Sequence, residues 1–212
     1  RGENRKITNL LPLFGIEDSL FIQYKDRPGL MTKRETRVQL LADLDLPKEG
    51  VLWDIGAGVG SIGLEALRLR PKLKLIMVDK RVGCKELIEK NARKLNVKVN
   101  LIFESEILKL LEDKQIPNQF NNPDRIILGG GGVKRSEILK RVIENLKPGG
   151  IIVIPLSTLE ALSELEKILK ESSFLLNIRS IQSYRGIPLG NGTRLAPMNP
   201  IFILKGKSNI KN

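Results

Sequence analysis

The sequence predicts an α/β fold, a doubly wound and mostly parallel sheet with an antiparallel edge at its C-terminal end. From residue 51 onward, short apolar runs alternate with amphipathic helical patterns. A glycine-rich turn follows the first of these runs, as is typical of such sheets. The last two apolar runs, near 174–182 and 201–204, have no helical pattern between them, so we expect them to pair antiparallel.

An irregular lead-in, residues 1–31, precedes the first helix and is interrupted by proline and glycine. The stretch "TKRE", 32–35, fits a capping box in which the Thr32 hydroxyl accepts from the Glu35 amide and Glu35 reaches back. A helix should therefore begin at Thr32. Its apolar stripe would consist of Val38, Leu41 and Leu44.

The remaining elements follow from the same periodicities. A second capping box, "STLE" at 157–160, should begin the last helix. That helix would turn Leu159, Leu162, Leu165 and Leu169 inward. The stretch "YRGIPLGNGTRLAPMN" at 184–199 is predicted to be a loop. We predict strands at 51–55, 72–79, 97–103, 125–128 and 151–155, and helices at 61–70, 84–95, 107–111, 134–146 and 159–171.

The length of 212 residues favours one principal domain. We assign it to residues 32–206, between the lead-in and a polar tail at 207–212. A single cysteine excludes an internal disulfide and is typical of a reducing cytoplasm, and no apolar run is long enough to span a membrane. The chain begins at Arg1 rather than at methionine, which favours either a trimmed chain or a domain cut from a longer polypeptide.

The chain contains no histidine. This absence excludes Ser-His-Asp and Cys-His catalysis and almost every zinc site, so we predict no metal centre. The net charge of +12, from 36 basic and 24 acidic residues, predicts an anionic partner. Nucleic acid and a small polycarboxylate substrate both fit that charge, as does a basic surface without a partner.

The stretch "VLWDIGAGVGSIGLE", 51–65, can be interpreted in two registers. Gly58, Gly60 and Gly63 fit the G-x-G-x-x-G of a dinucleotide-binding turn. That register places Asp54 where an apolar strand residue belongs. Starting at Gly56 instead makes Asp54 the last polar residue of the strand, where its carboxylate can hold the ammonium group of a methionine moiety. The second register favours a site for S-adenosylmethionine.

Two further acidic positions agree with this site. Asp79 ends the second strand, where a carboxylate can accept both hydroxyls of a ribose. The acidic stretch "ESE", 104–106, follows the third strand. The alternative is that Asp54 and Asp79 only cap neighbouring backbone. The whole pattern predicts the Rossmann-like sheet of a class I methyltransferase.

The residues after the fourth strand bear on the substrate. Amine-methylating enzymes that act on bases often carry a Pro-Pro-aromatic motif there, but this chain has four glycines at 129–132. Such a run can form a side-chain-free floor for a large flat substrate, or simply a flexible loop. Aromatic residues make up only 4% of the chain, which disfavours base stacking. An RNA methyltransferase, such as one that acts on tRNA, stays the alternative because of the charge.

Seven stretches resemble one family in order and spacing, the precorrin-6B C15-methyltransferases (decarboxylating) of cobalamin biosynthesis. The resemblance covers roughly residues 12–204 and implies methylation at C15 of a tetrapyrrole with loss of the C12 acetate carboxyl. It also implies a fused or separate C5-methyltransferase domain and a homo-oligomer such as a tetramer. The stretches are "GIEDSLF", "MTKRETR", "LWDIGAGVGSIGLE", "NARKLN", "IILGGGG", "LKPGG" and "GTRLAPMNPIFIL".

The resemblance also implies site residues, beside those that the glycine turn indicates. The family usually has Gly-Asp-Ala or Gly-Glu-Ala where this chain has Ser105, Glu106 and Ile107. Cofactor-binding residues are expected to be Thr32, Asp54, Gly56, Ala57, Gly58, Val59, Gly60, Asp79, Glu106 and Ile107. Substrate-binding residues are expected to be Lys33, Arg37, Gly129, Gly130, Gly131 and Arg194, the three cations pairing with substrate carboxylates. The sequence indicates no catalytic residue.

Overall fold

A computed structural model describes residues 11–26 and 31–209 and contains a seven-stranded sheet. Its strands are β1 Glu49–Ile55, β2 Lys72–Asp79, β3 Leu101–Glu104, β4 Arg125–Leu128, β5 Ile151–Leu156, β6 Leu175–Ile181 and β9 Ile201–Lys207. Their order across the sheet is β3-β2-β1-β4-β5-β9-β6. The first five strands in this order are parallel, and β9 pairs antiparallel with both β5 and β6. The predicted fold class is therefore confirmed, including the antiparallel edge.

Helices cover both faces of the sheet. They are α1 Arg34–Asp43, α2 Ser61–Leu69, α3 Cys84–Leu95, α4 Ile107–Glu112, α5 Arg135–Ile143 and α6 Leu159–Glu171. Adjacent residues of β1 point to opposite sides, so that Leu52 packs in one apolar core and Trp53 in the other. Helices α1, α2 and α3 cover the face on which Leu52 packs, and α4, α5 and α6 cover the opposite face.

Several elements lie where the sequence predicts them, and others differ in their bounds. Strands 72–79 and 125–128 and helix 84–95 agree at both ends. The third strand begins only at Leu101, four residues after the predicted start. The helix predicted at 134–146 is shorter and follows a 3-10 turn at Gly132–Lys134. No helix of residues 11–26 and 31–209 is long and apolar enough to cross a bilayer.

Both capping-box predictions need correction. Helix α1 begins at Arg34 with Lys33 as its N-cap, and no side chain bonds the cap. Glu35 binds Arg185 instead, an ion pair that local sequence cannot indicate. In α6 the N-cap is Thr158, whose hydroxyl accepts from the Ala161 amide at 3.3 Å. The start at Leu159 is as predicted, but that side chain is 64% exposed rather than inward.

The predicted loop at 184–199 is wrong. It contains a separate antiparallel hairpin, β7 Tyr184–Leu189 and β8 Gly192–Pro197. Gly190, in its two-residue turn, has a φ of +55°, which favours glycine. Proline and glycine within these strands give the stretch the composition of a loop.

The lead-in is built into the domain over the part that the structure describes. Ile16 and Phe21 are buried in the core, and the Gly15 and Ile16 amides donate to the Glu65 carboxylate. The predicted domain bounds stay a prediction. Residues 1–10 and 27–30 of the lead-in, and 210–212 of the polar tail, lie outside the described residues.

Candidate functional site

A crevice opens at the carboxyl ends of β1, β2 and β4, where doubly wound sheets bind ligands. It has two lobes that share Gly56, Arg81, Gly129 and Gly130. We call them the first lobe and the second lobe. The first lobe is also lined by Tyr24, Met31, Thr32, Asp54, Ala57, Gly58, Val59, Ser61, Ile62 and Pro155. The second lobe is also lined by Ile55, Val78, Asp79, Lys80, Ser105, Glu106, Ile107, Leu108, Gly131, Lys134 and Ile138.

The glycine turn between β1 and α2 requires glycine for steric reasons. Gly56, Gly58 and Gly60 have φ angles of +75°, +59° and +83°, which L side chains rarely adopt. A Cβ on Gly56 would lie 2.1 Å from the Gly129 carbonyl oxygen. The turn from β1 and the glycine run after β4 therefore approach each other backbone to backbone. The wall that these glycines give the crevice therefore carries no side chains.

Asp54 lies buried at the end of β1, beneath the glycine turn. Its Oδ2 accepts from the Gly63 amide at 3.0 Å. Burial, helped by the negative charge of Asp79, raises the pKa of Asp54 to about 7 despite that hydrogen bond. A ligand cation in the first lobe would restore the charge of this carboxylate.

Asp79 lies at the end of β2 and supports the glycine turn. Its Oδ2 accepts from the Gly58 amide at 2.8 Å, and its Oδ1 accepts from the Arg81 amide at 3.0 Å. The Arg81 guanidinium lies 3.7 Å from Oδ2. A carboxylate has about four acceptor positions, so Asp79 can accept two more hydrogens. Both aspartates thus cap backbone, as the alternative interpretation held, and both also line the crevice.

Two ion pairs of Glu106 lie among the residues that line the second lobe. This carboxylate lies 3.5 Å from Lys80 Nζ and 3.3 Å from Lys134 Nζ. The hydrogen bond from Lys134 is the main reason that the pKa of Glu106 is lowered. Ile107, by contrast, is buried at the start of α4 and gives the lobe an apolar wall.

The glycine run forms the wall that the two lobes share. The Gly129 amide donates to the Ile55 carbonyl at 2.8 Å, which extends the pairing of β1 and β4 by one bond. Gly130, Gly131 and Gly132 have positive φ angles. The Arg135 side chain donates to the Gly130 carbonyl and fixes the turn. The run is thus an ordered turn with backbone facing the crevice.

The structure brings the predicted cofactor residues together but separates the predicted substrate cations. Thr32 lies in the first lobe with Asp54, and Lys33 follows it as the N-cap of α1. Arg194 lies exposed on β8, and it lines neither lobe. Gly60 is not among the residues that line the crevice; it belongs to the glycine turn and is the N-cap of α2.

The prediction for Arg37 requires a correction. Its side chain is fully buried, and its Nε donates to Glu65 at 2.6 Å. Its remaining nitrogens donate to Asp18 at 3.1 Å, to the Thr32 carbonyl at 2.7 Å and to the Ile16 carbonyl. A guanidinium enclosed in this way is not available to substrate. It instead fixes the lead-in beside the crevice.

Among the crevice residues outside the predicted set, three have side chains that bear on ligand binding. Tyr24 lines the first lobe, Lys134 lines the second and Arg81 lines both. Arg81 carried a signal, since it lies two positions after the aspartate that ends β2. No signal in the sequence marked Tyr24 as a site residue, because the lead-in shows no periodicity that would place Tyr24 at the sheet.

Comparison with known proteins gives consistent matches. Residues 23–207 match the family described as "precorrin methyltransferase domain". A Pyrobaculum aerophilum protein named probable cobalt-precorrin-6B C(15)-methyltransferase (decarboxylating) is 35% identical over 90% of this chain and 94% of its own. A Sinorhizobium precorrin-6Y C(5,15)-methyltransferase [decarboxylating] is 32% identical over 91% of this chain, which covers 44% of that protein. The crystal structure of a precorrin-6y C5,15-methyltransferase from Geobacter metallireducens has a TM-score of 0.82 and 27% identity, covering 94% of this chain and all of that one.

Proposed function

Since the chain belongs to the precorrin methyltransferase family, we propose that it transfers a methyl group from S-adenosylmethionine to C15 of a precorrin and removes the carboxyl of the C12 acetate as carbon dioxide. The sequence-based prediction of a decarboxylating methyltransferase is confirmed. The identity of the methyl donor and the residues that bind it are the parts proposed here.

The crevice itself supports S-adenosylmethionine as the methyl donor. Gly56, Gly129 and Gly130 line both of its lobes, so a ligand there can lie directly against backbone. Asp79 offers two free acceptor positions for the ribose hydroxyls, and Asp54 lies where it can face the ammonium group. The donor would extend from the first lobe, with Thr32 and Asp54, toward the second, with Glu106 and Ile107. When bound, S-adenosylmethionine supplies an electrophilic methyl group on a positively charged sulfur.

The chain's own residues have a limited chemical task. The glycine turn and the run at 129–131 align the donor with the carbon that receives the methyl group, and the apolar walls keep water away. When carbon dioxide leaves, the electron pair of the broken bond enters the conjugated macrocycle, and a proton then completes the new methyl group. Neither step requires histidine.

A precorrin carries several carboxylates, which accounts for the net charge of +12. Lys33 and Arg194 stay the predicted cations for them. Arg81 and Lys134 join as candidates because they line the crevice. Nothing in the crevice favours the alternative of an RNA substrate, since Tyr24 is its only aromatic side chain among the described residues.

A C5-methyltransferase partner is also proposed. The Sinorhizobium relative, named for both C5 and C15, is more than twice as long as the part that this chain matches. This chain therefore supplies the C15 activity, and a second domain or protein supplies the C5 activity. A cytoplasmic location and a homo-oligomer stay predictions.

The test is a reaction of purified protein with S-adenosylmethionine and precorrin-6B, metal-free and cobalt-loaded, followed by mass spectrometry. We expect the tetrapyrrole to gain one methyl group and lose one carbon dioxide. The glycine-turn variant Gly58→Val, whose side chain would enter the first lobe, is the matched inactive control. An unchanged tetrapyrrole mass with both substrate forms, in protein that binds S-adenosylhomocysteine, would refute the proposed substrate.

A further inference from the structure

Tyr24, in the lead-in, carries the one buried side-chain oxygen or nitrogen among the described residues that has no hydrogen-bond partner. An unpaired buried hydroxyl is destabilising, and folded proteins contain few of them. Tyr24 lines the first lobe of the crevice together with Asp54 and Gly58. The unpaired hydroxyl thus belongs to a side chain of the ligand-binding crevice, which suggests that a ligand completes its bonding.

The surroundings of Tyr24 place it on the side of Asp79. The Arg81 guanidinium lies over the Tyr24 ring, 6.0 Å from its centroid, and also 3.7 Å from Asp79 Oδ2. Burial, with the charges of Cys84 and Asp79, raises the pKa of Tyr24 to about 12. The phenol therefore stays protonated at neutral pH, and it can donate a hydrogen bond to a ligand.

The charges near Tyr24 indicate what kind of acceptor fits. Asp79 and Glu104 act on the hydroxyl as anions, and Arg81 is the cation that opposes them. A ligand carboxylate at this point would be repelled by the two anions. A neutral oxygen would not. Asp79 also has two free acceptor positions, which suits a group that donates to Asp79 while accepting from Tyr24.

A sugar hydroxyl meets both requirements, because it donates one hydrogen and accepts another. We propose that Tyr24 donates a hydrogen bond to a ribose oxygen of the bound nucleoside, opposite the bonds that the ribose makes to Asp79. This inference rests on the proposed function, since it concerns the same cofactor. It adds a residue of the lead-in to the cofactor site and explains why this segment is held against the crevice by Arg37 and Glu65.

The test compares Tyr24→Phe with wild type for two probes in calorimetry. S-adenosylhomocysteine contains ribose and an amino acid, whereas 5′-methylthioadenosine contains ribose without the amino acid. We expect Tyr24→Phe to weaken both affinities by the same factor, about five- to tenfold. Tyr184→Phe is the matched control, because Tyr184 is the chain's other tyrosine and lies 55% exposed on the hairpin. It should change neither affinity.

Thermal unfolding separates this role from a structural one. Without ligand, Tyr24→Phe should melt at the wild-type temperature or above it, since the variant removes an unpaired buried hydroxyl. A loss confined to S-adenosylhomocysteine would assign the hydroxyl to the amino acid and overturn the ribose contact. Unchanged affinity for both probes would overturn it as well. Failure of the wild type itself to bind either probe would refute the proposed function, a result that is distinct from any difference between variants.

Discussion

The Arg185 guanidinium donates to both oxygens of the Glu35 carboxylate, at 2.9 and 2.7 Å, across 150 residues of sequence. Arg185 lies on β7 and Glu35 in the first turn of α1, and a further bond of 2.8 Å joins Arg185 to Asp18. This pairing attaches the hairpin to the lead-in and to the helix beside Thr32. The hairpin is therefore fixed relative to the crevice.

The ion pair predicts a pH-dependent contribution to stability. The hydrogen bond from Arg185 is the main cause that lowers the pKa of Glu35 to about 2 from 4.5. Because the folded pKa is depressed, the contribution is complete above about pH 4.5 and is lost as the pH falls toward 2. Arg185→Gln should cost about 1 kcal/mol at pH 7, since both side chains reach solvent. Denaturant unfolding at pH 7 and near pH 2 should show this difference shrinking, with the exposed Lys167→Gln as control. A difference that persists near pH 2 would contradict the assignment to this pair.

Arg37 is predicted to be a stability residue rather than a substrate residue. Arg37→Met leaves the Glu65 carboxylate buried without its cation, which costs about 3–5 kcal/mol. Arg141→Met removes an exposed ion pair with Glu144 and should change the free energy of unfolding by less than about 1 kcal/mol. Chemical denaturation measures both. If Arg37→Met is as stable as wild type but has a raised KM for the tetrapyrrole, then Arg37 binds substrate, as the sequence alone suggests.

The parts of the fold that sequence predicts are those set by local periodicity. β2, β4 and α3 are bounded by turns and by changes of apolar period, and their predicted ranges agree with the structure. The capping box at Thr32 and the role of Arg37 fail for a shared reason. Glu35 and Arg37 each bind charges far away in the sequence, and these bonds outweigh a local cap. The glycine turn was predictable because the positive φ angles of its glycines are a local property of the chain, whereas the close approach of Gly56 to Gly129 was not.

We predict that the main effect of replacing Asp79 is weaker binding of the cofactor. Asp79→Ala should weaken S-adenosylhomocysteine binding by on the order of 1–3 kcal/mol, since the ribose and the Gly58 amide lose their acceptor. Glu104→Ala is the matched control, because this carboxylate ends the neighbouring strand and bonds Gly83 outside the crevice. Calorimetry measures both variants. Unchanged affinity in Asp79→Ala would show that the ribose is held elsewhere.

The raised pKa of Asp54 predicts that cofactor binding depends on pH. Burial raises its pKa to about 7, so the ligand-free carboxyl is protonated at lower pH and must lose its proton to face an ammonium group. Affinity for S-adenosylhomocysteine should therefore rise with pH, by up to about tenfold per unit, and level off above pH 7. The same raised pKa makes ligand-free stability fall as pH rises from about 4 to 7, since the folded state binds the extra proton.

Two controls isolate this carboxyl. Asp54→Asn should bind S-adenosylhomocysteine weakly with no such pH dependence, and 5′-methylthioadenosine, which lacks the ammonium group, should bind wild type equally well across the range. Calorimetry between about pH 5 and 9 gives all three curves. The same slope for both ligands would show that another group titrates.

Gly56→Ala tests the backbone approach on which the crevice depends. The added methyl group would meet the Gly129 carbonyl oxygen at 2.1 Å, a clash with backbone that no side-chain rotation relieves.

Gly132→Ala is the matched control, since Gly132 also has a positive φ, +52°, but a methyl group added there would have no atom within 4 Å. The control should lose only the conformational preference of glycine, about 1–2 kcal/mol. Gly56→Ala should lose clearly more, measured by thermal and denaturant unfolding, and should not bind S-adenosylhomocysteine. Equal stability of the two variants would mean that the turn after β1 and the run after β4 do not touch, and the use of glycine at Gly56 would then need another cause.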